Sequence, residues 1–160
     1  MHPERRLKLL RLLAVGSAVG IFATILMGGY TSASRSGLAC PDWPLCNNAA
    51  IPNLSVVAIA VEFSHRMFAL SAGALIVAAL LATLVWFRQD RRLLFLATLS
   101  SVLLAIQIIL GALTITTGLE PVIVTSHLGV ATATFAAVLS LAWVSLLSPP
   151  SGRRGEAAPA

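Results

Sequence analysis

Four stretches of this chain decide what it can become: Leu9–Thr31, Val56–Phe87, Leu93–Thr117 and Val122–Leu147. Each is apolar for about 20 residues or more, the length that crosses a bilayer core as a helix. Only 11% of the 160 residues are charged and 58% are hydrophobic. A soluble domain of this size has no interior large enough for that apolar surface, whereas a membrane solvates it. The expected fold is an all-α integral membrane protein, a four-transmembrane-helix bundle made of two hairpins. The first stretch reads as a retained span, because its apolar core is too long for a signal peptide and lacks a small-x-small cleavage site.

The formal charge of +5 does not point to nucleic acid, because the basic residues cluster at segment ends and not along one face. Arg5, Arg6, Lys8 and Arg11 precede or open the first span, Arg88, Arg91 and Arg92 fill the second connection, and Arg153 and Arg154 follow the fourth span. The first and third connections hold only Arg35, Asp42 and Glu120 as charged residues between spans. The positive-inside rule places both termini in the cytoplasm of a cell membrane and the first connection outside it. Residues 1–8 read as a basic lead-in, 9–147 as the four-helix transmembrane domain, and 148–160 as a Pro/Gly/Ala-rich disordered tail.

The first connection, residues 32–55, contains CPDWPLC. Outside the cytoplasm Cys40 and Cys46 can stay oxidised, and Pro41 and Pro44 stiffen the segment enough to bring them within bridging range. The pair is either a structural staple or a redox-active couple. The spacing does not suit a zinc knuckle, and the loop has no histidine. Trp43 can anchor at the interface or cover a ligand edge.

A weak internal repeat divides the bundle. The first span ends GGYTSASRSGL and the third ends GALTITTGL, and each leads to a helix carrying Ser-His, in SHRMFA and SHLGVA. His65 lies 22 residues before Phe87 and His127 lies 20 before Leu147, distances of about 33 and 30 Å along a helix. The two imidazoles therefore sit at matched depth on helices running the same way. Ionisable groups inside spans are costly and default to function. Two histidines at one level in a bundle are a haem-ligating arrangement, with His65 and His127 as axial ligands of the iron. The plainer reading is a hydrogen bond from each to a neighbouring helix.

Glu62, His65 and Arg66 share one helix face by their i, i+3, i+4 spacing. Arg66 can bind a haem propionate, and Glu62 can take a proton or stabilise developing positive charge. An internal Glu62–Arg66 salt bridge is the alternative. Gln107 reads as a link between helices, and the Gly16/Gly20 GxxxG permits a close helix contact, with a second chain as one candidate.

These segments, GGYTSASRSGLACPDWPLC, EFSHR, QIILGALTITTGL and PVIVTSHLG in that order, closely resemble the heme A synthase family over about residues 25 to 135. The resemblance implies an oxidoreductase that converts heme O to heme A, oxidising a porphyrin methyl to a formyl for haem-copper terminal oxidases. It implies haem ligation by His65 and His127, a role in activity for Glu62, and a disulfide between Cys40 and Cys46. The propionate role of Arg66 follows from position alone. Family members have two four-helix halves, one for the substrate haem and one for a heme b. This chain matches the N-terminal half, so the resemblance leads to a homo-oligomer of at least two chains, with heme b as a possible redox cofactor. Heme O synthase or a terminal oxidase is a further candidate partner beside membrane lipid. The alternatives are a b-type cytochrome that carries electrons and a non-catalytic haem chaperone in oxidase assembly.

Overall fold

The computed structural model describes residues 2–149. Four helices form: α1 Pro3–Ala33, α2 Val57–Trp86, α3 Arg91–Thr116 and α4 Pro121–Leu147. All four are long and apolar enough to cross a membrane, and the protein is a multi-pass membrane bundle. Large side chains such as Phe22, Leu26, Phe95 and Trp143 stay on the outside, where acyl chains replace water. Helix α1 starts earlier than the first apolar stretch. Pro3 opens it, a position where no backbone N–H is needed, and Leu7 is already buried. The basic lead-in therefore forms the first turns of α1. The expected disordered tail lies outside the described residues apart from Ser148 and Pro149.

Neighbouring helices pack α1 on α2, α3 on α4 and α1 on α4, with α2 on α3 the loosest contact. Helices α2 and α4 thus stand diagonally across the bundle and run in the same direction. Gly16 and Gly20 close α1 onto α2 of the same chain: a Cβ at Gly20 would lie 3.1 Å from the Ala72 Cβ, and one at Gly16 would lie 3.4 Å from Leu75 Cδ1. The GxxxG is spent inside the bundle and is not a contact for a second chain.

The internal repeat is much fuller than GGYT and GALT suggest. On α1 the buried residues Leu10, Ala14, Ser17 and Ile21 match Leu93, Ala97, Ser100 and Leu104 of α3 in spacing and in burial. On α2, Ala72, Ile76, Ala79 and Thr83 match Thr134, Val138, Leu141 and Ser145 of α4 in the same way. The alternating steps of three and four residues are those of knobs-into-holes packing. The buried hydroxyls are satisfied locally: Ser17, Ser100 and Thr83 donate to the carbonyls of Leu13, Leu96 and Ala79 at 2.7–2.8 Å, and Ser145 to that of Ala142 at 2.8 Å.

The terminal end of the bundle is closed by further ties. Asp90 caps α3, accepting from the N–H groups of Arg92 and Leu93. Arg11 of α1 donates to the carbonyls of Ser145, Leu146 and Ser148, which end α4 and would otherwise lack partners.

Candidate functional site

The same inward-facing seam continues past the closed core to the loop end of the bundle. There it carries Thr24 and Gly28 on α1, Ala69, His65 and Glu62 on α2, Gln107 and Gly111 on α3, and Ala131 and His127 on α4. Both apolar core clusters stop at the level of Ala72 and Leu104. Beyond it, Thr24, Gly28, Ala69, His65, Gln107, Gly111, Ala131 and His127 are only half-buried, though their seam positions face the bundle interior. Inward positions that remain accessible mean that the helices do not close on one another at this level.

Each histidine rests on a glycine of its hairpin partner. A Cβ built at Gly28 would lie 3.0 Å from His65 Cε1, and one at Gly111 would lie 3.2 Å from His127 Cε1. Any larger residue would push the ring. His65 and His127 are thus equivalent under the repeat, and the diagonal placement of α2 and α4 sets them on opposite sides of the axis. Gln107 Nε2 lies 3.3 Å from His127 Nε2. Across the repeat, the Thr24 position offers the His65 ring only its backbone.

Nδ1 of both histidines and Oε1 of Gln107 are buried without a hydrogen-bond partner. Orphaned buried polar atoms are uncommon and call for an absent ligand or ion. Two imidazoles with unsatisfied nitrogens, glycine seats and an unclosed interior fit a haem with two axial histidines. Among the described residues, no group of three or more His, Cys, Asp or Glu converges as a metal cage.

Above His65 the first connection folds down onto α2. Cys40 and Cys46 form a disulfide, with Cα atoms 4.6 Å apart. Asp42 closes the loop from within: Oδ1 accepts from Asn47 N–H at 2.6 Å and Oδ2 from Asn48 N–H at 2.7 Å. Asn47 and Asn48 take left-handed φ values of 53° and 60°, which asparagine tolerates better than most residues. The Asn48 N–H, with that of Asn47 and the charge of Arg66, holds the Asp42 carboxyl below its usual range.

Glu62 is 3% exposed, and both of its oxygens are engaged. Oε2 accepts from Cys40 N–H at 2.8 Å and Oε1 from Arg66 at 2.7 Å. Arg66 Nη2 also donates to Cys40 O at 2.7 Å, and Nη1 to Asp42 O at 2.9 Å and Leu45 O at 2.6 Å. The guanidinium thus fills a ring of loop carbonyls, and the Glu62–Arg66 pair expected as the alternative is present. Nε takes no part in these bonds. Trp43 is half-exposed on the loop tip.

Sequence reading put Glu62, His65 and Arg66 on one helix face, but it did not bring the cysteine loop onto them. It missed Asp42 as the loop's latch, Gly28 and Gly111 as imidazole seats, and the contact of Gln107 with His127. The glycines were signalled by their shared place in GGYT and GALT.

A multi-pass four-helix bundle with a repeated histidine site and one disulfide-closed loop is the class that fold and site define. The family model for COX15-CtaA, described as cytochrome oxidase assembly protein, matches residues 11–60 and 55–159. The chain belongs to that family. It is 32% identical over 136 residues to the heme A synthase of Bacillus mycoides (strain KBAB4), covering 84% of this chain and 43% of that protein. The heme A synthase of Bacillus licheniformis is 32% identical over 135 residues, 84% of this chain and 44% of the relative. That of Bacillus cereus (strain AH187) is 32% identical over 136 residues, with 84% and 43% covered. The chain spans less than half the length of these relatives.

Proposed function

We propose that this chain binds haem between His65 and His127 and acts in the oxidation of heme O to heme A. The observation that carries the reading is the pair of repeat-related histidines on diagonal helices, at the level where the bundle interior stays open. The names of the relatives, heme A synthase, supply the reaction.

A bound haem supplies a redox-active iron and, as substrate, the methyl that becomes a formyl. The chain's own residues do the rest. His65 and His127 would hold the iron. Methyl oxidation releases protons, and Glu62, one turn before His65, is the carboxylate placed to receive them or to steady positive charge. Arg66 holds Glu62 under the loop through their 2.7 Å contact, and its Nε–H remains for a propionate. The disulfide-closed loop excludes water from the α1–α2 side of the site.

The reading places the loop on the outer face of the cell membrane and both termini in the cytoplasm, from the arginine clusters. It also takes at least two chains as the working unit. One chain offers one histidine pair, and a second copy adds the site for a heme b redox cofactor. Surrounding lipid and heme O synthase or a terminal oxidase are the candidate partners.

The test is haem extraction from cells supplied with heme O that express the chain. Chromatography should show heme A, and Glu62→Gln should retain bound haem while yielding little heme A. Bound haem with no heme A from the wild-type chain would instead assign a b-type cytochrome or a haem chaperone. One observation favours that second reading: both Glu62 oxygens already have structural partners.

A further inference from the structure

At the terminal end of the bundle the two halves of the repeat finish differently. In the first half, Trp86 and Phe87 end α2 and pack against the core, and Leu7 of α1 is buried. The repeat sets Ser148 and Pro149 in the places of Trp86 and Phe87, and Asp90 in the place of Leu7. Two large rings and a leucine give way to small or polar groups. There a cavity of about 480 Å³ lies between the start of α3 and the end of α4. We propose that this cavity binds the headgroup of an anionic phospholipid. The site is separate from the histidine level and does not depend on haem binding.

The cavity sits where the spans end, at the depth of lipid phosphates. One wall carries Arg91, Arg92 and Gln89, and the other Val144 and Leu147. Guanidinium forks match phosphate oxygens, and basic pockets between spanning helices at this boundary suit anionic headgroups. The apolar wall continues toward the bilayer centre. Phe95 lies one turn from Arg91 on α3 and Trp143 one turn before Leu147 on α4, both 64% exposed. An amphiphile therefore finds a partner for each of its halves, whereas a free anion uses only one wall.

The local charges agree. The last carbonyls of a helix carry partial negative charge, which would repel a phosphate beside α4. Arg11 takes those of Ser145, Leu146 and Ser148. Asp90 also lines the cavity, with Oδ1 accepting from the N–H groups of Arg92 and Leu93. Among the described residues, the terminal end holds seven basic side chains against Glu4 and Asp90, while the loop end holds Arg35 and Arg66 against Asp42, Glu62 and Glu120. The field at this end attracts anions.

The test uses the full chain in detergent micelles with phosphatidylglycerol or phosphatidylcholine, and native mass spectrometry counts the lipid retained. The wild-type chain should keep phosphatidylglycerol in preference. Arg91→Gln with Arg92→Gln should weaken that retention about thirtyfold, and each change alone about fivefold. Ser148→Trp copies the ring of the first half into the cavity and alters no charge; it should lose the lipid as well. Lys8→Gln, at the repeat counterpart of Arg91, should stay within about twofold of wild type. Equal retention of the two lipids by the wild-type chain would overturn the inference, as would full retention in Ser148→Trp. A loss in Lys8→Gln as large as in the arginine variants would show diffuse attraction to a basic end and overturn it too. Displacement of the lipid by inorganic phosphate alone would make this a site for free anions and refute the assignment to lipid. Circular dichroism checks the fold of each variant; should the double arginine variant unfold, Ser148→Trp decides.

Discussion

Replacing Arg66 by methionine tests what holds the outer loop over the site. The guanidinium makes four bonds, to Cys40 O, Asp42 O, Leu45 O and Glu62 Oε1. The loop carbonyls near the surface can turn to water when it is gone. Glu62 cannot, because it is 3% exposed. Breaking a buried ion pair on one side costs about 3–5 kcal/mol, since it strands the other charge. Arg66 itself is 15% exposed, so the lower end, about 3 kcal/mol, is the better figure. That is roughly a hundredfold rise in loop opening.

The disulfide keeps residues 40–46 together, so the loop should undock as a unit. The Cys40 N–H, which donates to Glu62 Oε2, is the reporter. Hydrogen exchange in nanodiscs should show its protection falling about a hundredfold in Arg66→Met. The amide of Thr83, deep in the terminal core, should not change. The double variant Glu62→Gln/Arg66→Met removes the stranded charge and keeps an acceptor for Cys40 N–H. It should recover most of the loss, with a coupling of about 1–3 kcal/mol. Protection in Arg66→Met within threefold of wild type would refute the reasoning, as would a double variant as open as the single one.

Alanine at Gly28 should displace the His65 ring, and alanine at Gly111 the His127 ring, since each Cβ would fall 3.0–3.2 Å from a Cε1. Each should cost about 1–3 kcal/mol in stability and weaken or abolish the low-spin haem spectrum; unaltered spectra in both would contradict the seating. The Asp42 carboxyl is depressed by its bonds from Asn48 and Asn47, so its contribution to the loop is fully present above the ordinary value of 3.8 and is lost only as pH falls through the lower folded value. The Asn47 and Asn48 amides should therefore stay protected from neutral pH down to about pH 4, and Asp42→Asn should weaken them at all pH values; loosening already near about pH 6 would argue against this latch. Alkylation without reductant should label neither Cys40 nor Cys46, and mass spectrometry of freshly isolated membranes checks it; full labelling would exclude a persistent bridge.

The helices were legible because membrane spans are written in composition and length, and apart from the start of α1 every boundary fell within two residues of the observed one. The start of α1 was not, because charged residues before an apolar run read as a lead-in, whereas Pro3 and the buried Leu7 make them helical. The neighbourhood of Glu62, His65 and Arg66 followed from helical spacing. The Arg66 pair with Glu62 was one of the two readings of that spacing; its other partners did not follow, because they are backbone carbonyls more than 20 residues away, and carbonyls have no letter in the sequence. The repeat was visible only as GGYT/GALT and Ser-His. Its buried rows use different residues for one volume class, Ile21 for Leu104 and Thr83 for Ser145, so identity matching passes over them. The role first given to Gly16 and Gly20 shows the converse: a small-residue pair announces a close helix contact without saying with which helix.

The pattern of symmetry and its breaks bears on what the site can do. A repeat that matches seam positions from Leu10 and Leu93 upward builds a bundle whose two histidines are interchangeable. Interchangeable ligands suit an electron carrier, in which both faces of the haem do the same job. Gly16 and Gly20 break the repeat inside the core, where α3 has Leu99 and Leu103; the departures that bear on the site lie at the level of the histidines. Glu62 stands where α4 has Val124, Arg66 where it has Leu128, and Gln107 where α1 has Thr24. The disulfide loop covers the α1–α2 side, while the α3–α4 side has only the short turn of residues 117–120. Each departure adds charge, cover or a side-chain hydrogen bond to one side alone. On the haem-binding reading proposed above, one face of the ring would meet His65 beside a buried carboxylate, and the other His127 beside an amide. That division distinguishes the ring's edges and faces, as oxidation of a single methyl requires.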